Sequence, residues 1–160
     1  MGIYSEIIRD RCLCLQRTHK KILRFSLNQN YLMVNVLVVD DDNDTVEVLC
    51  TYLELKGMNV VGRAKNGRDA YELYKELRPD IVLLDVFMPD FDGHYALKKI
   101  LEFDSNAKVV MVTASAFSED RQNKLKSIGA TGVICKPYET EDIIKTIEEL
   151  NKDVISKSNN

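Results

Sequence analysis

Four places in the sequence carry polar side chains at the end of a short apolar run, and together they could perform phosphate chemistry. They are Asp40, Asp41 and Asp42; Asp85; Thr113, Ala114 and Ser115; and Lys136 with Pro137. Clustered carboxylates repel one another unless a cation intervenes, and hard oxygen ligands suit Mg²⁺. An Asp carboxylate can attack phosphorus, and the developing charge needs a metal, an ammonium and a hydroxyl donor around it. We therefore interpret Asp85 as a candidate nucleophile toward a phosphoryl group.

Asp85 follows the continuous apolar run 81–84, which lies between Pro79 and a cluster of Pro, Asp and Gly residues ending at Gly93. A run of this kind is typical of a strand buried on both faces. An aspartate in this place can simply cap the next turn, so Asp85 alone decides nothing. The other strand ends favour a site, because parallel strands present their carboxyl ends at one edge of the sheet.

From Val34 onward, apolar runs alternate with segments of helical period, which predicts an α/β fold with a parallel sheet and helices on both faces. The five predicted strands are 34–39, 59–63, 81–84, 108–112 and 132–135. Apolar stripes at helical spacing are Val46, Leu49, Cys50 and Leu53; Ala70, Leu73, Tyr74 and Leu77; Leu97, Ile100 and Leu101; and Ile143, Ile147, Leu150 and Val154. The fourth helix, 118–128, has only Leu125 and Ile128 as strong apolar anchors, so we expect it to be the least firmly held.

Composition limits the classes of function. The 160 residues suit one domain, and the net charge is −3. Residues 1–32 carry six basic and two acidic residues, which leaves sixteen basic and twenty-three acidic residues in an acidic remainder that argues against a nucleic-acid surface. The four cysteines form no CxxC pair and suit a reducing compartment. No apolar stretch could span a bilayer or act as a signal peptide, so we expect a cytoplasmic protein without a membrane span.

Three segments are expected along the chain. Residues 1–32 form an N-terminal extension of different character, for which a basic amphipathic arm and a transit peptide are the functional interpretations. We favour a third interpretation, in which Met33 could be the real start and residues 1–32 are either upstream sequence included in error or an extension without a core of its own. Residues 33–155 form the domain, and the polar tail 156–160 leaves no room for an appended DNA-binding domain.

Three rival phosphate or metal motifs fit the sequence poorly. The spacing of Asp40, Asp42 and Asp44 resembles the start of a calcium loop, but Thr45 and Thr51 replace the required Gly and Glu. In phosphatases resembling the haloacid dehalogenases, the strand should run into the first Asp of the motif, which would be Asp42, whereas here it runs into Asp40. A flavin-binding protein of similar topology would need Ser, Thr and Gly amides after the first strand, where three carboxylates would repel phosphate.

Four segments together resemble the receiver domain of two-component response regulators. They are Val38-Val-Asp-Asp41, Leu84-Asp-Val-Phe-Met-Pro-Asp-Phe-Asp-Gly93, Met111-Val-Thr-Ala114 and Lys136-Pro137. The resemblance covers about residues 34–155 and is greatest to the stand-alone receivers of the chemotaxis type. It implies a doubly wound, flavodoxin-like sheet of five parallel strands in the order 2-1-3-4-5.

The resemblance also implies a role for each site residue. Asp85 would accept a phosphoryl group from a histidine kinase or a phosphotransfer protein. Asp41 would ligate Mg²⁺ directly, Asp40 would hold it through water, and Asp85 and the backbone carbonyl of Phe87 would complete the protein ligands. The remaining roles belong to three residues: Thr113 and Lys136 would bind the phosphoryl oxygens, and Ala114 would stay small so that the donor can approach.

Two positions near the fifth strand bear on the switch. Val133 occupies a place where the family often has an aromatic residue whose rotation reports phosphorylation, so the usual switch is in doubt. Tyr138 matches an aromatic common after Lys-Pro, and we interpret it as a packing residue. The family resemblance also predicts a cis peptide bond between Lys136 and Pro137.

The leading function is a phosphorylation switch whose output is binding to a downstream protein, with no turnover of substrate as in an enzyme. Two alternatives stay open: a Mg²⁺-dependent phosphatase with an Asp nucleophile, and a receiver-like adaptor that is never phosphorylated. Phe87 and Ser115 should flank the phosphoryl group and tune its lifetime. Phe87 can only exclude the hydrolytic water, and Ser115 is short, so we expect slow autodephosphorylation with Phe87 as the main cause.

Overall fold

The computed structural model describes residues 33–114 and 119–157. Within these ranges the strands are β1 Asn35–Val39, β2 Asn59–Ala64, β3 Ile81–Asp85, β4 Val109–Ala114 and β5 Gly132–Lys136. The helices are α1 Asn43–Leu55, α2 Gly67–Leu77, α3 Gly93–Phe103, α4 Glu119–Ile128 and α5 Thr140–Lys157. The predictions for residues 1–32 and Ser115 lie outside the described residues. No helix within the described ranges is long and apolar enough to cross a membrane.

All strand pairs are parallel, and the sheet has the order β2-β1-β3-β4-β5. The predicted doubly wound, flavodoxin-like fold is therefore confirmed. The chain reverses its direction of winding next to β1, so the carboxyl ends of β1 and β3 flank the point where ligands bind in folds of this type. The order also places β4 and β5 on the same side of that point, which brings four of the predicted strand ends together.

Alternating side chains of the buried strands form two cores, one on each face of the sheet. Val36, Val38, Ile81 and Leu83 pack with the apolar faces of α1 and α5. Leu37, Val39, Val82 and Leu84 pack with α2, α3 and α4. Because neighbouring residues of a strand point to opposite faces, a sheet covered on both sides requires continuous apolar runs such as these.

Side chains that precede the helices fix where three of them begin. Asp42 accepts a hydrogen bond from the amide of Asp44 at 3.1 Å, and Asn66 and Asp92 cap α2 and α3 in the same way. Such caps satisfy backbone donors that have no partner within the helix. Each cap follows a strand after a short connection, so the caps also hold the loops at the carboxyl edge of the sheet.

The apolar stripes are buried as predicted in α1, and the observed differences concern the ends of elements. Ile128 is 39% exposed, so its predicted role as a second anchor of α4 is wrong, and Leu125 is the buried residue of that helix. Ile128 is the last residue of α4, and helix ends have fewer neighbours than helix centres. Strands β3, β4 and β5 extend one or two residues further than predicted, and α5 ends at Lys157.

Candidate functional site

The four strands β1, β3, β4 and β5 deliver the predicted polar residues to one edge of the sheet. Asp40 directly follows β1, Asp85 is the last residue of β3, and Lys136 is the last residue of β5. Thr113 is the penultimate residue of β4 and pairs with Cys135 in the neighbouring strand. These residues come from four separate parts of the chain, and only the parallel order of the strands brings them to the same place.

The ammonium group of Lys136 lies between the carboxylates of Asp40 and Asp85. Its Nζ donates to Asp40 Oδ2 and to Asp85 Oδ1, in both cases at 2.8 Å. The side chains of Asp40 and Asp85 are 9% and 6% exposed, whereas that of Lys136 is 33% exposed. Two nearly buried negative charges therefore share one positive charge, and the group keeps a net charge of −1 for a cation to neutralise.

The remaining oxygens of both carboxylates accept hydrogen bonds from the backbone. The amide of Asp42 donates to Asp40 Oδ1 at 2.9 Å, and the amide of Phe87 donates to Asp85 Oδ2 at 2.7 Å. All four carboxylate oxygens thus have a partner, which fixes the orientation of both side chains. The family resemblance implies a role for the backbone carbonyl of Phe87, but the roles of its amide and of the Asp42 amide are not predictable, because backbone donors leave no signal in residue type.

Burial and neighbouring charges shift the pKa values in this group. Burial is the main cause that raises the pKa of Asp85; Lys136 opposes the rise, and the charge of Asp40 adds to it. Burial disfavours the charged form of Lys136, but its bonds to Asp40 and Asp85 outweigh this effect and raise its pKa. The lysine is therefore a permanent cation at neutral pH, and it holds Asp85 in place as a carboxylate.

Thr113 presents a buried hydroxyl at the same edge. The residue is 0% exposed, and its Oγ1 has no hydrogen-bond partner among the described residues. A buried hydroxyl without a partner costs free energy, so one at a functional edge indicates a group that binds there. Ala114 is exposed directly after it. A small, exposed residue beside Thr113 leaves an approach to this edge open.

A metal ion would find oxygen ligands here, although they are not gathered into one cluster. In the part of the chain that the structure describes, no three His, Cys, Asp or Glu side chains are arranged to hold a metal ion. Lys136 separates Asp40 from Asp85, and Asp41 is exposed to solvent. The donor set is nevertheless the hard carboxylate type that Mg²⁺ prefers, and the unpartnered hydroxyl of Thr113 suits a phosphoryl oxygen. Direct coordination by Asp41 stays a prediction.

The loop between β3 and α3 is held close to Asp85 by a glycine. The amide of Gly93 donates to the carbonyl of Val86 at 3.1 Å. A Cβ atom at Gly93 would overlap the carbonyl oxygen of Asp85 and would lie 2.9 Å from Val86 Cα. Only glycine fits there, so it sets how closely α3 approaches the candidate nucleophile. Phe87 lies on this loop and is 56% exposed.

The segment around the end of β5 agrees with two predictions. The Lys136–Pro137 peptide bond is cis, as predicted. Tyr138 is partly buried against the core formed with α1 and α5, which agrees with its interpretation as a packing residue. Val133 lies on β5, the strand at the edge of the sheet beside β4, and it packs against the core on the other face of the sheet.

Comparisons with known proteins agree with this architecture. A family model described as the response regulator receiver domain matches residues 36–148. Chemotaxis protein CheY of Thermotoga maritima is 36% identical over 117 residues, which is 73% of this chain and 97% of that protein. CheY of Treponema pallidum is 39% identical over 119 residues, covering 73% and 82% of the two chains.

Solved structures give the same result. A chain in the crystal structure of the CheX–CheY–BeF3–Mg²⁺ complex from Borrelia burgdorferi superposes with a TM-score of 0.70 at 34% identity. The match covers 73% of this chain and 88% of that chain. The chain belongs to the family of response regulator receiver domains and resembles the CheY proteins of two-component signalling.

Proposed function

We propose that this protein is a phosphorylation-dependent switch in which Asp85 accepts a phosphoryl group in the presence of Mg²⁺. The observation that carries the proposal is the environment of Asp85, a buried carboxylate 2.8 Å from a lysine ammonium at the edge where Thr113 has an unpartnered buried hydroxyl. A nucleophile, a cation and a hydroxyl donor are the groups that phosphoryl transfer to a carboxylate requires.

The residues at this edge account for each part of the transfer of a phosphoryl group from a donor to Asp85. An oxygen of the Asp85 carboxylate forms a bond to phosphorus, and the bond from phosphorus to the donor atom breaks, with its electron pair leaving on the donor. Lys136 stabilises the negative charge on the transferred oxygens, and the Thr113 hydroxyl donates a hydrogen bond to one of them. The amide of Phe87 donates to Oδ2 of Asp85 and Lys136 donates to Oδ1, so the carboxylate is held in one orientation before the attack.

Asp40, Asp41, Asp85 and the backbone carbonyl of Phe87 are the groups that would hold Mg²⁺. When bound, the ion supplies positive charge that neutralises the phosphoryl oxygens. Support comes from the net negative charge of the Asp40, Asp85 and Lys136 group and from the Borrelia burgdorferi relative, whose crystal contains Mg²⁺ and BeF3.

The phosphoryl donor would be a histidine kinase or a phosphotransfer protein, and the output would be altered binding to a downstream protein in the cytoplasm. Relatives named as chemotaxis proteins support a signalling role of this kind. Phe87 and Ser115 would set the lifetime of the phosphorylated state. The side chain of Phe87, two residues after Asp85, cannot hydrogen-bond a water molecule and would keep water from the path in line with the bond between Asp85 and phosphorus, so autodephosphorylation would be slow.

The test is incubation of the protein with a small acyl phosphate and Mg²⁺, followed by intact-mass measurement. We expect one phosphoryl adduct that lasts for minutes and that is missing from Asp85→Asn. Asp90→Asn is a matched control, because Asp90 lies on the same loop but is exposed, and this variant should still be labelled. Sustained turnover of phosphate esters would favour the phosphatase instead, and the absence of any adduct would favour the adaptor.

A further inference from the structure

A cavity beside the loop that follows Asp85 has a composition suited to a cationic side chain. Its volume is about 480 Å³, and it is lined by Asn66, Arg68, Asp69, Asp90 and Phe91. We call these five residues the loop cavity. They come from the start of α2 and from the loop between β3 and α3, and none of them belongs to the group around Lys136. The cavity is therefore separate from the site of phosphoryl transfer, although it shares a loop with that site.

The walls of the loop cavity are fixed by backbone contacts. The amide of Gly67 donates to the carbonyl of Phe91 at 2.6 Å, which ties the start of α2 to the loop. A Cβ atom at Gly67 would lie 2.7 Å from the same carbonyl oxygen, so only glycine permits this approach. Asp69 is held in turn by Asn66, whose Nδ2 donates to Asp69 Oδ2 at 2.9 Å. A cavity with fixed walls needs little reordering when a partner binds.

An aromatic residue and two carboxylate residues line the loop cavity. Phe91 is 37% exposed, and its ring packs against Tyr95 with the ring centroids 4.9 Å apart. Asp69 and Asp90 contribute two negative charges, against one positive charge from the exposed Arg68. A guanidinium group stacks on aromatic faces and forms paired hydrogen bonds with carboxylates, so it fits both features at once.

We infer that the loop cavity binds an arginine side chain of a protein partner, and that the partner senses the phosphorylation of Asp85 through it. The second part rests on the proposed function. The loop is joined to Asp85 directly, because the amide of Phe87 donates to Asp85 Oδ2 at 2.7 Å. A phosphoryl group on Asp85 changes the acceptor of that amide and adds negative charge beside the loop. Phosphorylation should therefore strengthen arginine binding.

The loop cavity would be an output surface whose response to phosphorylation does not depend on an aromatic residue at position 133. Val133 lies on β5, whereas the loop cavity lies on the other side of β3 in the sheet, next to α2 and α3. The signal would pass along the loop that begins at Asp85 itself. Only residues 86–89 separate the phosphoryl acceptor from Asp90, the first residue of this loop that lines the cavity.

The experiment uses the full-length protein labelled with ¹⁵N and a short peptide of alternating Arg and Gly as the probe. The matched control is the same peptide with citrulline in place of arginine, which keeps the shape and removes the charge. We expect saturable shifts of the amide signals of Asp69, Asp90 and Phe91 with the arginine peptide, and binding roughly tenfold weaker with the citrulline peptide.

Variants locate the binding surface. Phe91→Ala should weaken binding of the arginine peptide about three- to fivefold, and Asp90→Asn should weaken it and reduce its salt dependence. Asn is suitable at position 90 because that residue has a φ of 66°, which Asn tolerates. Leu55→Ala is the control, since Leu55 is 77% exposed on α1 and its loss should leave peptide binding unchanged. Equal affinity in all these variants would overturn the inference.

The last arm repeats the titration after treatment with acyl phosphate and Mg²⁺, with the adduct verified by mass. Tighter binding in the phosphorylated protein supports the inference, and unchanged or weaker binding overturns its second part. If no adduct forms, the proposed function fails, while the titration of unmodified protein still decides whether the cavity takes arginine. Concentration-dependent self-association that Phe91→Ala abolishes would instead assign the surface to a second copy of the chain.

Discussion

Replacing Lys136 by methionine removes the cation between two nearly buried carboxylates while keeping a side chain of similar length. Asp40 and Asp85 each lose a 2.8 Å bond and keep one backbone amide as partner. Breaking a buried ion pair costs about 3–5 kcal/mol, but the lysine side chain is 33% exposed, so we expect the free energy of unfolding to fall by about 2–3 kcal/mol.

Asp85→Asn should have the opposite effect and raise the free energy of unfolding. The folded-state pKa of Asp85 is raised, mainly by burial. A carboxyl with a raised folded pKa favours folding below its unfolded pKa, and this contribution is lost as pH rises through the folded value. At pH 7 the ionised carboxylate therefore lowers the stability of the folded state, and the Asn variant should be more stable than the parent. The difference between the variant and the parent should shrink as the pH falls toward about 4, the ordinary value.

The assay is urea unfolding of the parent, the two single variants and the double variant, without Mg²⁺, at neutral and mildly acidic pH. The double variant should be more stable than the sum of the single effects predicts, because only the carboxylate of Asp40 then lacks its lysine partner. Lys99→Met is the control: Lys99 contacts Glu102 at 2.8 Å but is 40% exposed, so its loss should lower the free energy of unfolding much less than the loss of Lys136 does. A Lys136→Met protein as stable as the parent would refute this reasoning.

Four further predictions follow from the same contacts. Gly93→Ala should lower the free energy of unfolding by about 2–4 kcal/mol, because its Cβ would meet the backbone of Asp85 and Val86. Gly132→Ala is the control and should cost less than about 1 kcal/mol, because a Cβ there would have neighbours no closer than 3.5 Å. Equal effects of the two variants in chemical denaturation would contradict this prediction. Thr113→Val should leave stability unchanged or raise it by about 1 kcal/mol, because it removes an unpartnered hydroxyl, and should slow labelling by acyl phosphate; a loss of stability at normal labelling would argue against the role of Thr113. Asp42→Ala should cost about 1 kcal/mol in thermal unfolding through the lost cap of α1, and Asp42→Ser should restore most of it; equal losses in both variants would exclude the cap. Phe87→Asn should shorten the half-life of the phosphorylated state while the affinity for Mg²⁺ stays unchanged. An equal or longer half-life would show that Phe87 does not exclude the hydrolytic water.

The sequence predicted the sheet well because burial on both faces produces a strong pattern. Runs such as 81–84 contain no polar residue, and the helices between the strands repeat apolar residues at helical spacing. The edge that gathers Asp85 and Lys136 follows from the parallel order alone. For this reason the residues of the candidate site can be predicted from the sequence.

Other features depend on distances that a sequence does not carry. The bridge of Lys136 between Asp40 and Asp85 and the amide of Phe87 require the backbone in place. Exposure at the end of a helix is equally hard to predict: Ile128 follows the buried Leu125 at helical spacing, yet it is 39% exposed. The loop cavity exists because Gly67 at the start of α2 contacts Phe91 on a loop that is distant in sequence. No local sequence pattern indicates this contact.

The most direct test of the central claim is to identify the residue that carries the phosphoryl group. The protein is treated with a small acyl phosphate and Mg²⁺, reduced with borohydride so that an aspartyl phosphate becomes homoserine, and digested for peptide mass spectrometry. We expect homoserine at position 85, and none when Mg²⁺ is omitted. Conversion of Asp40, Asp41 or Asp90 with Asp85 left intact would contradict it.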